Sequence, residues 1–136
     1  MPRRTTIGVD FNRVNLLVAV LEKKVGLHLG GMDVFVNVVG GLKLVEPAVD
    51  LGIIATVASS LKDIPIEANI FVFGEVGLSG EIRAVAQAET RVKEAAKIGF
   101  QRGIMPAGNA DKMKHEFGIK IIGVRNVEEC LEAVFR

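Results

Sequence analysis

Two rhythms of apolar residues alternate along the chain, one helical and one extended. Val14, Leu17, Val18 and Leu21 recur at i, i+3, i+4 and i+7, a single apolar stripe that predicts a helix from about Asn12 to Lys24. "HLGGMD" breaks it, and the β-branched run "DVFVNVV" predicts a strand closed by Gly40 and Gly41. The stretch "VEPAVDLGIIATVASSLKDIPI", residues 45–66, is apolar on nearly every side, with Pro47 in its first turn. It predicts a central, buried helix from about Glu46 to Leu61, ended by "KDIPIE".

Beyond it, "NIFVFGEVGLSGEIRAV" reads as two strands joined through Gly77 and Gly80, with Gly74 a candidate bulge. "QAETRVKEAAKIGF" gathers Ala88, Val92, Ala95 and Ala96 on one helical face, pairs Glu89 with Lys93, and stops at Gly99. "RGIMPAG" predicts a short strand, "NADKMKHEF" a short helix capped by Asn109, and "IKIIGV" a last strand. "NVEECLEAVFR" closes the chain with Asn126 and Glu129 spaced as a capping box. No linker, repeat or low-complexity tract interrupts this order. The pattern predicts one α/β (α+β) domain over residues 1–136, with a central buried helix and a mixed sheet.

Composition narrows the classes. A chain of 136 residues, 49% hydrophobic, is long enough for one domain with a real core. Its 17 Lys and Arg against 16 Asp and Glu leave a net charge of +1, so overall charge does not announce nucleic acid. Any basic surface must come from local segregation. The one cysteine, Cys130, excludes an internal disulfide and a multi-cysteine zinc site, and its place in an apolar helix reads as a buried, inert thiol. No apolar run reaches the roughly 18 residues of a membrane span, and "MPRR" is not followed by a signal-peptide core. The expected location is cytoplasmic.

Candidate chemistry is sparse. Neither a Walker A pattern nor G-x-G-x-x-G is present, and "GEVGLSG" lies between strands instead of opening a helix. His28 and His115 are isolated, so no metal site is expected. "SSLK", Ser59 to Lys62, matches the S-x-x-K nucleophile motif but lacks its partner motifs. It also sits at the negative end of its helix, where an alkoxide is not stabilised. Glu46 and Asp50 form a possible carboxylate pair, yet both lie in a first turn, where the helix dipole alone favours carboxylates.

The order of elements, with "RRTTIGVDFNRVNLLVAVLEKKVGLHLGGMDVFVNVVGG", "GEVGLSGEIRAVAQAETRVKEAAKIGF" and "KIIGVRNVEECLEAV", resembles the proteolytic domain of Lon proteases. It is closer still to the Lon-like carboxy-terminal domain of the RadA (Sms) family of bacterial DNA-repair proteins. The resemblance covers essentially the whole chain, which then reads as the isolated last part of a longer RecA-like ATPase, with Met1 internal or introduced. It implies that ATP, Mg and Zn belong to amino-terminal parts absent here, and that this domain carries no cofactor.

Lon proteases work through a Ser–Lys dyad, with the serine after a proline at the start of the central helix. Anchoring on Pro47 and "DIPI" places the serine position at Ala48; anchoring on "GEVGLSGEI" places the lysine position at Glu89. Neither dyad residue is retained. In a well-studied serine protease, losing the nucleophile costs on the order of a million-fold in turnover. The resemblance therefore implies a pseudo-protease.

Three functions follow as alternatives. The first is a non-catalytic scaffold and double-stranded DNA-binding surface of a repair and recombination ATPase. It would assemble as a homo-hexameric ring, with branched or duplex DNA and a RecA-type recombinase among its partners, and no membrane. Its candidate phosphate contacts are Arg3, Arg4, Lys62 and Arg102, all expected at element ends or in loops. No aromatic residues interleave with them, so base stacking is not indicated. The second is a peptidase using another nucleophile, for which Ser79 is the candidate, although Gly77 and Gly80 around it argue for a turn. The third is a pure oligomerisation module without DNA affinity.

Overall fold

The computed structural model describes residues 4–7, 11–26, 34–37 and 47–135. The expectations placed on Arg3, His28, Gly40, Gly41 and Glu46 lie outside this set. The first predicted helix forms as α1 (Phe11–Val20), runs into a π-helical turn (Leu21–Val25) and ends at Gly26, whose φ of 78° is left-handed. All four residues of its predicted stripe are buried. Strand β1 (Arg4–Ile7) lies parallel to β2 (Val34–Asn37).

The central helix forms as expected. A 3-10 turn (Pro47–Val49) leads into α2 (Asp50–Lys62), which buries Leu51, Ile53, Ile54, Ala55, Val57 and Ala58. Asp63, at φ 55°, ends it, and its last turn is held by Ser59, whose hydroxyl donates to the Ile64 carbonyl at 2.6 Å. That bond gives Ser59 a structural part.

The next segment holds three strands where two were expected: β3 (Ile70–Val72), β4 (Glu75–Val76) and β5 (Ile82–Arg83). Gly74 causes the division. Its φ of 153° turns the chain, and a Cβ there would meet Pro106 at 3.1 Å and Leu51 at 3.2 Å. Strand β3 therefore joins one sheet while β4 and β5 pair as an antiparallel hairpin. Helix α3 (Ala88–Ile98) ends at Gly99, with Val92 and Ala95 buried. It is followed by β6 (Arg102–Pro106), α4 (Ala107–Ala110), β7 (Lys120–Val124) and α5 (Val127–Val134).

Strand order β3-β6-β7 makes a parallel sheet. Successive side chains on a strand face opposite sides, and here they feed two cores. Ile70, Val72, Ile104, Ile122 and Val124 face α1, α2 and α5; Phe71, Phe73, Met105, Ile119 and Ile121 face Val92 of α3. Parallel and antiparallel pairing thus coexist in an α/β domain, in separate sheets among the described residues.

Two further expectations are corrected. "NADKMKHEF" is not a helix capped by Asn109: α4 ends at Ala110, and the chain continues in turns. The Asn109 amide is drawn to another strand segment, accepting from Val85 N–H and donating to Val85 C=O, both at 2.9 Å. Glu89 does not pair with Lys93; its carboxylate accepts the Lys114 N–H at 2.7 Å. The Asn126 cap forms as read, accepting from Glu129 N–H at 2.9 Å. Among the described residues no helix is long and apolar enough to cross a membrane.

Candidate functional site at the head of the central helix

The turn before α2 is stitched to the glycine that divides β3 from β4. Gly74 N–H donates to the Ala48 carbonyl at 2.8 Å, and Leu51 N–H donates to the Gly74 carbonyl at 3.0 Å. Asp50, the first residue of α2, is fully buried. Its carboxylate takes a bidentate bond from Arg13 of α1, with Nε at 2.9 Å from Oδ1 and Nη2 on Oδ2. Oδ2 also accepts the Val76 N–H at 3.0 Å, and Arg13 Nη2 returns to the Val76 carbonyl at 3.0 Å. One buried ion pair therefore binds α1, α2 and the hairpin together. Charge-assisted fork geometry of this kind compensates the desolvation of both groups. Asp50 is thus spoken for, and the expected pairing with Glu46 as an acid–base couple has no support from its surroundings.

Beside this clamp lies a cleft of about 270 Å³, lined by Pro47, Ala48, Glu75, Ala84, Val85, Ala86 and Arg91. The Ala48 methyl stands where the Lon resemblance puts a nucleophile. Ala86 is held by Arg91, whose Nε donates to its carbonyl at 3.1 Å, and the same guanidinium lies 5.8 Å from the Phe73 ring centroid. The Asn109 clamp on Val85 fixes the opposite wall.

Glu89 is not among the cleft's lining residues. The Lys114 N–H bond, above all, holds its carboxyl below the usual value of 4.5. The two degenerate dyad positions are therefore turned to different tasks. Ser79 is exposed at the hairpin tip, with its N–H donated to the Glu81 carboxylate at 3.0 Å. It does not line the cleft. Cys130 is buried, and burial pushes its thiol up to about 12. His115 is exposed, and among the described residues no cluster of three or more His, Cys, Asp or Glu side chains is placed to hold a metal ion.

The basic candidates separate. Arg4 lies in β1, beside Val34. Lys62 is exposed at the end of α2, with Nζ 5.2 Å from the Phe135 ring centroid. Arg102 is not in a loop: it is the first residue of β6, with its side chain 24% exposed and 3.9 Å from Glu67. Its Nε is buried without a partner.

Residues 4–109 match the family model described as ChlI, subunit ChlI of Mg-chelatase. The chain belongs to the ChlI family. Within it, the chain is 54% identical over 96% of its length to the DNA repair protein RadA of Bacillus subtilis (strain 168). It is 48% identical over 98% to that of Pseudomonas aeruginosa and 47% over 96% to that of Escherichia coli (strain K12). It spans 28–29% of the length of these relatives and matches their carboxy-terminal part.

Sequence reasoning passed over three residues that matter in this ChlI-family chain. Arg13 looks like a solvated charge on α1, because its partner Asp50 is 37 positions away. Asn109 carries a cap-like spacing that hides its clamp on Val85. Lys120 is exposed and stands in register beside Arg102 on the neighbouring strand, so two cations share one end of the sheet. The signal for Lys120 was its place as the second residue of "IKIIGV", at the entrance to a strand.

Proposed function

We propose that the chain is the non-catalytic, Lon-like carboxy-terminal domain of a RadA-type DNA repair and recombination ATPase. In this reading it serves as an oligomerisation scaffold and a surface for double-stranded DNA. The observation that carries the reading is the near-full-length identity with proteins named for DNA repair, 54% over 96% of the chain in one case. The family description names a Mg-chelatase subunit, but the high-identity relatives place the weight on repair.

The absence of peptidase chemistry rests on Ala48, which has no reactive atom, and on the different occupation of Glu89. The DNA surface rests on Lys62 and on the Arg102–Lys120 end of the sheet. Arg102 is part-committed to Glu67, so binding a phosphate exchanges a 3.9 Å carboxylate contact for a new anion. ATP, Mg and Zn chemistry belongs, in this reading, to the rest of the parent protein.

Duplex binding by the assembled protein, measured for wild type, Lys62→Ala, Arg102→Ala and Lys120→Ala, tests this. Each variant is expected to bind more weakly on every sequence alike, because phosphate contacts carry no sequence information. Variants that bind as tightly as wild type would leave the pure oligomerisation module standing.

A further inference from the structure

The β4–β5 hairpin carries a turn built with unusual care around one apolar side chain. Gly77 N–H donates to the Glu81 carbonyl at 2.9 Å, and Gly80 N–H to the Gly77 carbonyl at 3.0 Å. The Glu81 carboxylate folds back under the tip, accepting Ser79 N–H and pairing with Arg83 at 3.0 Å. It lies so close that a Cβ on residue 77 would stand 2.3 Å from it, which makes glycine obligatory there. Gly80 sits at φ 81°, and its carbonyl is anchored by Val127 N–H at 3.0 Å. Every backbone feature of the tip is tied down, yet Leu78 is left 71% exposed.

A single exposed leucine is ordinary on a protein surface. A rigid one facing a matching hole on the same molecule is a different matter. The Ala48 cleft is walled by Pro47, Ala48, Ala84, Val85 and Ala86, and its 270 Å³ exceeds the roughly 150 Å³ that accommodates a benzene ring in an apolar cavity. Its rim carries Glu75 and Arg91, while the hairpin carries Glu81 and Arg83, so each side offers one carboxylate and one guanidinium. Leu78 cannot reach the cleft of its own chain through a hairpin tied down at both ends.

We propose that Leu78 docks into the Ala48 cleft of a second copy of this chain. The contact is head-to-tail, since knob and hole are different surfaces, and repeated around a closed rotation it generates a ring. The proposal rests on the scaffold reading above and names the surfaces that would serve it. A rigid side chain loses little freedom on docking, and a central apolar anchor is where interfaces concentrate their energy.

The test mixes two single-cysteine variants of the full chain, Leu78→Cys and Ala84→Cys, under diamide. Cys130, buried and with its thiol pushed up to about 12, does not compete. A disulfide needs Cα atoms within about 7 Å, so a covalent 78–84 heterodimer well above the yield of either variant alone is the expected result. Leu78→Asp is expected to weaken self-association in sedimentation by at least about tenfold, with thermal stability unchanged. If wild type assembles but no heterodimer forms, or Leu78→Asp assembles like wild type, the docking is overturned and the scaffold reading survives. A wild type that stays monomeric at every concentration, as it would if another protein's segment filled the cleft, overturns both.

Discussion

Ala48 is 3% exposed, its carbonyl is bound to Gly74, and its methyl faces a cleft with no hydroxyl, thiol or amine among the lining side chains save the Arg91 guanidinium. The domain is therefore expected to release no fluorescence from labelled casein above a trace-protease control; turnover that persists in a repurified sample would contradict the pseudo-protease reading. Ala48→Ser combined with Glu89→Lys is expected to remain inactive too, because residue 89 points to the turn at Lys114 and not into the cleft.

Next to it, Arg13→Met leaves the buried Asp50 carboxylate without its countercharge, and breaking a buried pair in this way costs about 3–5 kcal/mol. Chemical denaturation should show that loss, and a change below about 1 kcal/mol would show that the clamp is dispensable.

Glu89 gives a pH signature. Its carboxyl is depressed, so its contribution is present above the ordinary value of 4.5 and fades as pH falls through the lower folded value. Protection of the Lys114 amide from exchange is expected to hold at pH 5 and to drop below 4.5, and Glu89→Gln should blunt that dependence. Ala48 and Glu89 were legible as positions in the sequence. Arg13 was not, because a pair spanning 37 residues exists only once α1 and α2 have packed.

The elements show where periodicity is a sufficient guide and where it gives way. The stripe on α1 and the alternation on β6 and β7 were plain, because each has one face against a core and the apolar spacing records it. The segment 70–83 was read as two strands because its residues are β-formers throughout; the break at Gly74 depends on Pro106 and Leu51 arriving from elsewhere. The segment 109–117 has helical composition, but Asn109 spends its amide on Val85 and Glu89 takes the Lys114 N–H, so tertiary partners outbid local propensity.

Strand pairing brings its own constraint at Gly103, which stands opposite Phe71 in the parallel register. The Phe71 ring covers it so closely that a Cβ would lie 2.4 Å from the ring. Gly103→Ala should force the ring off its stack with Phe73 and T-contact with Phe100, costing about 1–3 kcal/mol in urea denaturation. A neutral result would mean the ring moves freely.

At the scale of the molecule, a parallel sheet between two apolar layers fixes two ends with different character. The head of α2, the divided strand at Gly74 and the hairpin gather at one end around a cleft without a nucleophile. Arg102 and Lys120 begin their strands at the other, near the end of α2 where Lys62 is exposed. Family membership and the RadA relatives explain why such a fold is found in a chain spanning under a third of those relatives. The central claim is that this end of the sheet meets the phosphates of a duplex. Three or four phosphate contacts give a slope of about −3 in log affinity against log salt, since each neutralised phosphate contributes roughly −0.9. A salt titration of duplex binding by the oligomeric wild-type protein is the direct measurement: a linear fall with a slope near −3 is predicted, and an affinity indifferent to salt would contradict the account.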